Sequence, residues 1–162
     1  MKLIKSLFFI CCLAIFSCSS NEENIDTNGD ENLENPTNEV DYETQILNLL
    51  NKHRTDNGLA ELAVLDIIKT QTEAHTDYMI GKGDISHDNF SDRSDFLQQN
   101  ADARSTAENV AFGYNNAQSL VNAWINSDGH RRNIEGNFTH FNITAKQNKN
   151  GAWYYTNIFI RR

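Results

Sequence analysis

Five histidines carry most of the reactive chemistry available to this chain: His53, His75, His87, His130 and His140. None belongs to the His-Glu-x-x-His pattern that holds zinc on one face of a helix. His53 and His75 fall on the apolar faces of two predicted helices, where a histidine is more often a hydrogen-bonded core residue than a ligand. His87 and His130 follow predicted helix ends, where side chains can point into a cleft.

A single glutamate, Glu108, stands in an otherwise apolar segment at 107–112. A buried carboxylate needs a cation or hydrogen-bond donors around it. Two interpretations follow. His87, Glu108 and His130 are suited to bind zinc and leave one position for water. Alternatively, the three side chains form a hydrogen-bonded structural cluster that holds loops together.

The N-terminal segment reads MKLIKSLFFICCLAIFSC, in which two lysines precede an apolar run of signal-peptide length. Its last four residues resemble a bacterial lipobox, which implies a signal peptide at 1–17 and lipidation of Cys18. An ordinary signal peptide cut elsewhere is the alternative. Because Cys11 and Cys12 leave with the signal and acylation consumes Cys18, no thiol remains for a disulfide, a metal site or a nucleophile. We therefore expect a lipid-anchored, extracytoplasmic protein of the cell envelope.

An acidic segment follows the lipobox. Residues 19–43 hold nine acids, no base and the only proline, so we expect a disordered tether at 18–42 and a folded domain at 43–162. The acids resemble an export signal of bacterial surface lipoproteins, which implies display on the outer-membrane surface, or they form a solvated spacer. From residue 44 onward there are 13 acids and 12 bases, which excludes the basic stripe of a nucleic-acid-binding protein.

The elements that must position the histidines are readable from periodicity. Predicted helices cover 43–57, 62–80, 91–100 and 117–126, and predicted strands cover 107–112, 141–146 and 153–160. Ser91 is a candidate cap for the third helix and Asn115 or Asn116 for the fourth, while Gly81 or Gly83 ends the second. The segment 148–151 (NKNG) predicts a hairpin turn. Helices come first and the clearest strands last, which favours an α+β fold with a mainly antiparallel sheet.

Four segments carry a family resemblance: 51–54 (NKHR) with 57–59 (NGL), 74–79 with 86–87, 107–111 (AENVA) and 124–134 (WINSDGHRRNI). In this order they resemble the motifs of the CAP superfamily, which groups cysteine-rich secretory, antigen 5 and pathogenesis-related proteins, in its bacterial branch. The resemblance spans roughly 44–160. It implies a three-layer α-β-α sandwich with a central, mainly antiparallel sheet and a surface cavity.

In the eukaryotic branch two histidines and two glutamates line that cavity and hold a divalent cation, often zinc. The resemblance places the first histidine at His87 and the first glutamate at Glu108, while Ser127 stands where the second glutamate is expected. The second histidine has no counterpart around 141–143, and His130 belongs to the bacterial Gly-His-Arg run. With Asn109, these residues form the predicted cleft.

Three functions remain open. The leading hypothesis is a non-enzymatic module that binds an envelope ligand such as a lipid, a cell-wall component or a protein, because no activated nucleophile is visible. The second is a metal-assisted hydrolase of peptide or cell-wall bonds, with Glu108 as general base or zinc ligand. The third is a structural or adhesive surface protein.

Overall fold

The computed structural model describes residues 41–162, so the predicted signal peptide, Cys18 and the acidic segment up to residue 40 lie outside the described residues. The helices are α1 Tyr42–Asp56, α2 Asp66–Lys82, α3 Phe90–Ala101, α4 Ala117–Asn126 and α5 Asp128–Ile134. The strands are β1 Ala63–Val64, β2 Ser105–Phe112, β3 His140–Gln147 and β4 Trp153–Arg161. None of these helices has the length and apolar character that crossing a bilayer requires.

The four strands form one sheet in the order β1-β3-β4-β2. β4 is antiparallel to both β3 and β2, and the two-residue β1 runs parallel to β3. The predicted hairpin between β3 and β4 is confirmed: Gly151 adopts φ 79°, and its N–H bonds to the carbonyl oxygen of Asn148. The sheet is therefore mainly antiparallel, as the sequence predicts.

Side chains alternate between the two faces of the sheet because successive strand residues point in opposite directions. On one face, Tyr155 and Phe159 of β4 join a large apolar cluster with residues of α1, α4 and α5, including Trp124. On the other face, Ile158 and Ile160 pack against α2 and α3. Helices thus cover both faces, and the predicted α+β fold with three α-β-α layers is confirmed.

Most helix ends follow the predicted signals. Asn57 ends α1, and Asn116 caps α4 by accepting a hydrogen bond from the N–H of Ser119. Gly83 ends α2 in the left-handed conformation, at φ 78°, whereas Gly81 lies inside that helix.

The Ser91 cap is wrong. Asn89 precedes α3 with φ 57°, and the helix already begins at Phe90. The preceding left-handed residue turns the chain into the helix earlier than a serine cap would, and no side-chain hydrogen bond caps this end.

Two elements escape the sequence patterns. β1 has two residues and is a strand only because Ala63 and Val64 pair with His140 and Phe141, which are far along the chain. α5 follows α4 after the single residue Ser127 and contains seven residues, too few for a periodic signal.

A relay of tyrosines ties the beginning of α1 to the segment after β2. The hydroxyls of Tyr42 and Tyr155 lie 2.9 Å apart, and the Tyr155 hydroxyl donates to the carbonyl oxygen of Tyr114. Burial and the Tyr42 hydroxyl raise the pKa of Tyr155, so this hydroxyl stays protonated and remains a donor.

Candidate functional site

The site is built around Glu108 in the middle of β2. Its register partner is Ile158, which places the carboxylate on the sheet face covered by α2 and α3. The glutamate side chain is 1% exposed. Because a buried carboxylate is costly without partners, the surrounding residues define what this site can do.

Arg93 of α3 is the main partner. Its Nε donates to Oε2 of Glu108 and its Nη2 to Oε1, both at 2.8 Å. A third donor, Nη1, bonds to the carbonyl oxygen of Asp88 at 2.8 Å. Two parallel charge-assisted bonds fix the carboxylate and place a permanent positive charge beside it.

Two histidines complete the cluster around the carboxylate. His87 Nδ1 lies 2.8 Å from Oε1 of Glu108, and the His87 side chain is 54% exposed. His75 of α2 is buried, with Nε2 2.7 Å from the carbonyl oxygen of Ser86 and 3.8 Å from Oε1 of Glu108. Burial lowers the pKa of His75, and the negative charge of Glu108 opposes that shift. His75 is therefore a neutral imidazole that donates to Ser86.

His130 lies in the first turns of α5, where its backbone carbonyl oxygen accepts a 3.2 Å bond from Asn109. The amide of Asn133 in turn donates to Oδ1 of Asn109 at 2.9 Å. His130 Nδ1 is buried and has no hydrogen-bond partner within the described part of the chain. Burial lowers the pKa of His130, and the nearby His87 lowers it further.

A cavity of about 380 Å³ adjoins this cluster. It is lined by Gly83, Asp84, Ile85, Val110, Ala111, Phe112, Tyr114, His130 and Tyr154. Ile85 and Phe112 are 41% and 47% exposed, unusually high for large apolar side chains. The cavity wall is therefore mixed: apolar and aromatic side chains stand beside the imidazole of His130 and the carboxylate of Asp84.

Four of the five predicted cleft residues lie at the Glu108 cluster or the cavity, and the fifth, Ser127, does not. His87 and Glu108 are in direct contact, and His130 lines the neighbouring cavity. Asn109 donates its side-chain amide to the backbone carbonyl oxygen of His130. Ser127 lies at the junction of α4 and α5, where its carbonyl oxygen accepts from the N–H of Arg131, and it does not line the cavity.

The arrangement does not fit a cation at Glu108. Both carboxylate oxygens are bound by Arg93, whose nearest nitrogen is 2.7 Å away, so a metal ion there would meet a fixed positive charge. Across residues 41–162, no three His, Cys, Asp or Glu side chains are grouped so that they could hold a metal ion. Zinc binding by His87, Glu108 and His130 stays a prediction from the sequence.

Sequence reasoning missed Arg93 altogether. The available signal was an arginine on the inward face of a short predicted helix, four residues before Leu97, which is fully buried. His75 was predicted as a satisfied core residue, and its burial and hydrogen bond agree with that prediction, but its approach to Glu108 was not predicted. His53 lies apart from this cluster and contacts Glu135, with Nε2 and Oε1 2.9 Å apart.

The model of the cysteine-rich secretory protein family, CAP, matches residues 47–159. Two proteins of Bacillus subtilis (strain 168) are similar in sequence. The uncharacterized protein YkwD is 31% identical over 106 residues, which is 63% of this chain and 41% of YkwD. The uncharacterized membrane protein YlbC is 30% identical over 124 residues, which is 74% of this chain and 34% of YlbC. The chain thus spans well under half the length of these curated relatives.

Solved structures of bacterial proteins share the fold. An outer surface protein from Borrelia burgdorferi has a TM-score of 0.67 at 17% identity, covering 76% of this chain and 96% of that one. An extracellular protein containing an SCP domain from Bacillus anthracis str. Ames has a TM-score of 0.64 at 27% identity, covering 75% and 40%. A cysteine-rich secretory protein from Staphylococcus aureus subsp. aureus Mu50 has a TM-score of 0.64 at 20% identity, covering 75% and 38%.

Proposed function

Because this chain belongs to the cysteine-rich secretory protein (CAP) family, we propose that it is a non-enzymatic ligand-binding module, displayed outside the cytoplasm on a lipid anchor at Cys18. The observation that carries the proposal is the cavity beside His130. A concave site of this size, in which apolar and aromatic side chains are combined with a few polar groups, has the form of a small-ligand pocket.

The apolar part of the cavity wall is accessible to solvent. Ile85 from the loop after α2 and Phe112 from the end of β2 stand partly exposed at its walls. The ring centroids of Phe112 and Tyr154 lie 4.7 Å apart, so two aromatic rings in contact form part of the wall. A bound apolar group would remove Ile85 and Phe112 from water.

The location rests on two further observations. Similar structures are described as an outer surface protein and an extracellular protein, and one similar sequence as a membrane protein. The N-terminal segment ends in a lipobox-like run at Cys18. Metabolic labelling with an alkyne fatty acid tests the anchor: the chain incorporates the label, and Cys18→Ala abolishes incorporation. Equal labelling of the two chains would contradict the anchor and leave the ligand-binding proposal standing.

A fluorescent apolar anion, 1-anilinonaphthalene-8-sulfonate, tests the cavity as a binding site. We expect saturable binding to the full chain that is weakened at least fivefold by Phe112→Ser and by Ile85→Ser. Val64→Ser is the matched control, because Val64 is 54% exposed but lies on β1, away from the cavity. Weakening by all three substitutions alike would indicate non-specific surface adsorption. That result would favour a structural or adhesive protein instead.

Hydrolysis of peptide or cell-wall bonds is the second candidate function. The favouring observation is the contact of His87 Nδ1 with Glu108, because a carboxylate at Nδ1 leaves the other ring nitrogen, Nε2, available on a side chain that is 54% exposed. This is the orientation in which an imidazole acts as general base toward water. His87 then takes the role that the sequence suggested for Glu108, whose two oxygens are held by Arg93.

Purified full chain incubated with peptidoglycan fragments tests this candidate. Under the hydrolase hypothesis His87→Gln lowers the rate by at least a hundredfold, and His53→Gln, a matched substitution outside the cluster, leaves it unchanged. A chelator that abolishes the rate, followed by recovery with zinc, would favour metal-assisted hydrolysis. Absence of turnover by the wild-type chain rejects hydrolysis of this substrate.

A further inference from the structure

The sheet order leaves β2 at one edge of the sheet. The N–H of Gly113 bonds to the carbonyl oxygen of Trp153, which sets the alternation of hydrogen bonds between β2 and β4. In an antiparallel pair every second residue turns both its N–H and its carbonyl away from the partner strand. In β2 these are the even-numbered residues, including Glu108, Val110 and Phe112.

Two side chains cover part of this free edge. Asn133 of α5 donates its amide to the carbonyl oxygen of Glu108 at 3.2 Å. Trp124 of α4 donates Nε1 to the carbonyl oxygen of Val110 at 3.3 Å. These contacts independently confirm that the even-numbered carbonyls point outward. The next outward-facing backbone groups are the N–H and the carbonyl of Phe112. Within residues 41–162 no side chain forms a hydrogen bond with either of them.

The cavity opens at this uncovered end of the edge, because its walls come from both sides of the sheet. Tyr154 packs with Met79 of α2, and Ile85 comes from the loop that follows α2, while His130 comes from α5 on the other side. Phe112 lies between them. The outward N–H and carbonyl of Phe112 are therefore directed toward the cavity, which has walls on both faces of the sheet.

His130 adds a hydrogen-bond donor to the cavity. Its Nδ1 is enclosed without a partner, whereas Nε2 is not enclosed and makes no hydrogen bond to the described residues. A neutral imidazole carries one hydrogen, and an enclosed N–H without an acceptor is rarer and costlier than an enclosed acceptor. The hydrogen therefore belongs on Nε2, which can donate to a carbonyl oxygen of a ligand.

We propose that the cavity binds an extended peptide segment, whose backbone pairs with Phe112 at the free edge of β2 and whose apolar side chain enters the cavity. The proposal rests on the ligand-binding function proposed above and names its ligand class. A strand added to a sheet edge gains affinity from main-chain hydrogen bonds and specificity from a pocket for alternate side chains.

The geometry favours a peptide over an alkyl chain. A ligand residue that exchanges both hydrogen bonds with Phe112 places its side chain on the same face of the sheet as the Phe112 ring. Tyr154, the register partner of Phe112, lies on that face, and Ile85 lines the same cavity. An alkyl chain would fill the same space but would bury the N–H and carbonyl of Phe112 without partners, which opposes binding.

The probe is acetyl-Ala-Leu-Ala-N-methylamide, with the same peptide methylated at the leucine nitrogen as the matched ligand. Saturation-transfer NMR, observed on the peptide, reports binding to the full chain. We expect the methylated peptide to bind at least tenfold more weakly, because it lacks the N–H that would donate to the Phe112 carbonyl. Octanoate serves as the apolar competitor without a peptide backbone.

Two variants at position 112 distinguish the contribution of the backbone N–H to peptide binding from that of the aromatic ring. Phe112→Ala and Phe112→Pro both remove the ring, but only proline removes the N–H. Proline is tolerated on an edge strand where the N–H faces away from the ladder. We expect Phe112→Pro to bind the unmethylated peptide at least fivefold more weakly than Phe112→Ala. Circular dichroism checks that both variants fold, and the methylated peptide tests the wild-type chain should either variant fail.

Each outcome bears on the proposal. Tenfold discrimination against the methylated peptide, with the weaker binding of Phe112→Pro, supports pairing at the edge. Equal binding of the two peptides overturns it, and so does saturable octanoate binding without peptide binding, although both results leave the ligand-binding function intact. Failure of peptide and octanoate alike would overturn the cavity as a binding site together with the peptide proposal.

Discussion

The two faces of the sheet are held by different chemistry. The face covered by α1, α4 and α5 is a continuous apolar cluster around Trp124, Phe141 and Phe159. The face covered by α2 and α3 has smaller apolar clusters, and it also carries hydroxyl pairs: Thr72 with Thr144 at 2.7 Å and Thr76 with Thr156 at 2.8 Å. A non-directional apolar layer supplies stability, whereas directional hydrogen bonds fix where α2 lies. The ion pair of Glu108 and Arg93 stands on this second, more polar face.

The largest expected effect comes from breaking the apolar face. Trp124 is 1% exposed and donates to the carbonyl oxygen of Val110, so Trp124→Ala creates a large void and removes a hydrogen bond. We expect the free energy of unfolding to fall by about 3–5 kcal/mol. Chemical denaturation followed by circular dichroism measures it. The exposed neighbour Asn122→Ala should change stability by less than about 0.5 kcal/mol. A similar loss of unfolding free energy in Trp124→Ala and Asn122→Ala would contradict the stabilising role of the apolar face.

The buried ion pair is the strongest test of the polar face. Arg93→Met leaves the Glu108 carboxylate with His87 alone at hydrogen-bond distance, so we expect a loss of about 3 kcal/mol. The double variant Arg93→Met/Glu108→Leu removes both charges and should recover most of that loss. The same denaturation experiment compares them. A double variant as unstable as the single one would mean that Arg93 stabilises the fold by packing rather than by charge.

A smaller effect is expected at the hydroxyl pairs. Thr76 donates to the carbonyl oxygen of Thr72 and contacts Thr156, and Thr76→Val keeps the shape but removes the hydroxyl. We expect a loss of about 1 kcal/mol. Thr76→Val/Thr156→Val should lose less than the sum of the two single variants, because no hydroxyl is then left without its partner. Strict additivity would show that the pair is not coupled.

The smallest expected effect is a dependence of stability on pH. Burial lowers the pKa of His75 and of His130, so the unfolded chain binds protons more readily than the folded one. Stability therefore falls as the pH drops below about 6.5. The pKa of Asp88 is lowered to about 2, mainly by Lys82, so its contribution changes only at pH values below about 4. Denaturation at pH 7.5 and 5.5 measures the fall.

The matched variants for this test are His75→Gln and His130→Gln, each compared with the wild-type chain at both pH values. Each substitution should reduce the difference in stability between pH 7.5 and pH 5.5. An unchanged difference in both variants would assign the pH dependence to other groups. A larger stability at pH 5.5 than at 7.5 would reverse the expected sign.

Periodicity predicted the elements that have strong local signals. α2 was recognised by its inward row of Ile68, Thr72, His75 and Met79, which are all buried. α5 was not recognised, because it has seven residues and includes Gly129, a poor helix former. β1 depends on pairing with β3 and has no local signal at all.

The candidate site was predicted only in part, because some of its contacts have no local signal in the sequence. The resemblance assigned His87 and Glu108 to one cleft, and in the structure the two side chains lie 2.8 Å apart. The resemblance did not predict the ion pair between Arg93 and Glu108. That contact depends on how α3 lies across β2 rather than on any spacing in the chain. The free edge at Phe112 likewise depends on strand order, which only the folded sheet defines.

The tyrosine relay has a mechanical consequence. Tyr42 stands at the start of α1, and through Tyr155 it is linked to the carbonyl of Tyr114, which lines the cavity. A pull on the chain ahead of Asp41 would load these two bonds across the end of the sheet. Tension applied at Asp41 would thus be passed to the Tyr114 carbonyl, in the cavity wall, through two hydrogen bonds.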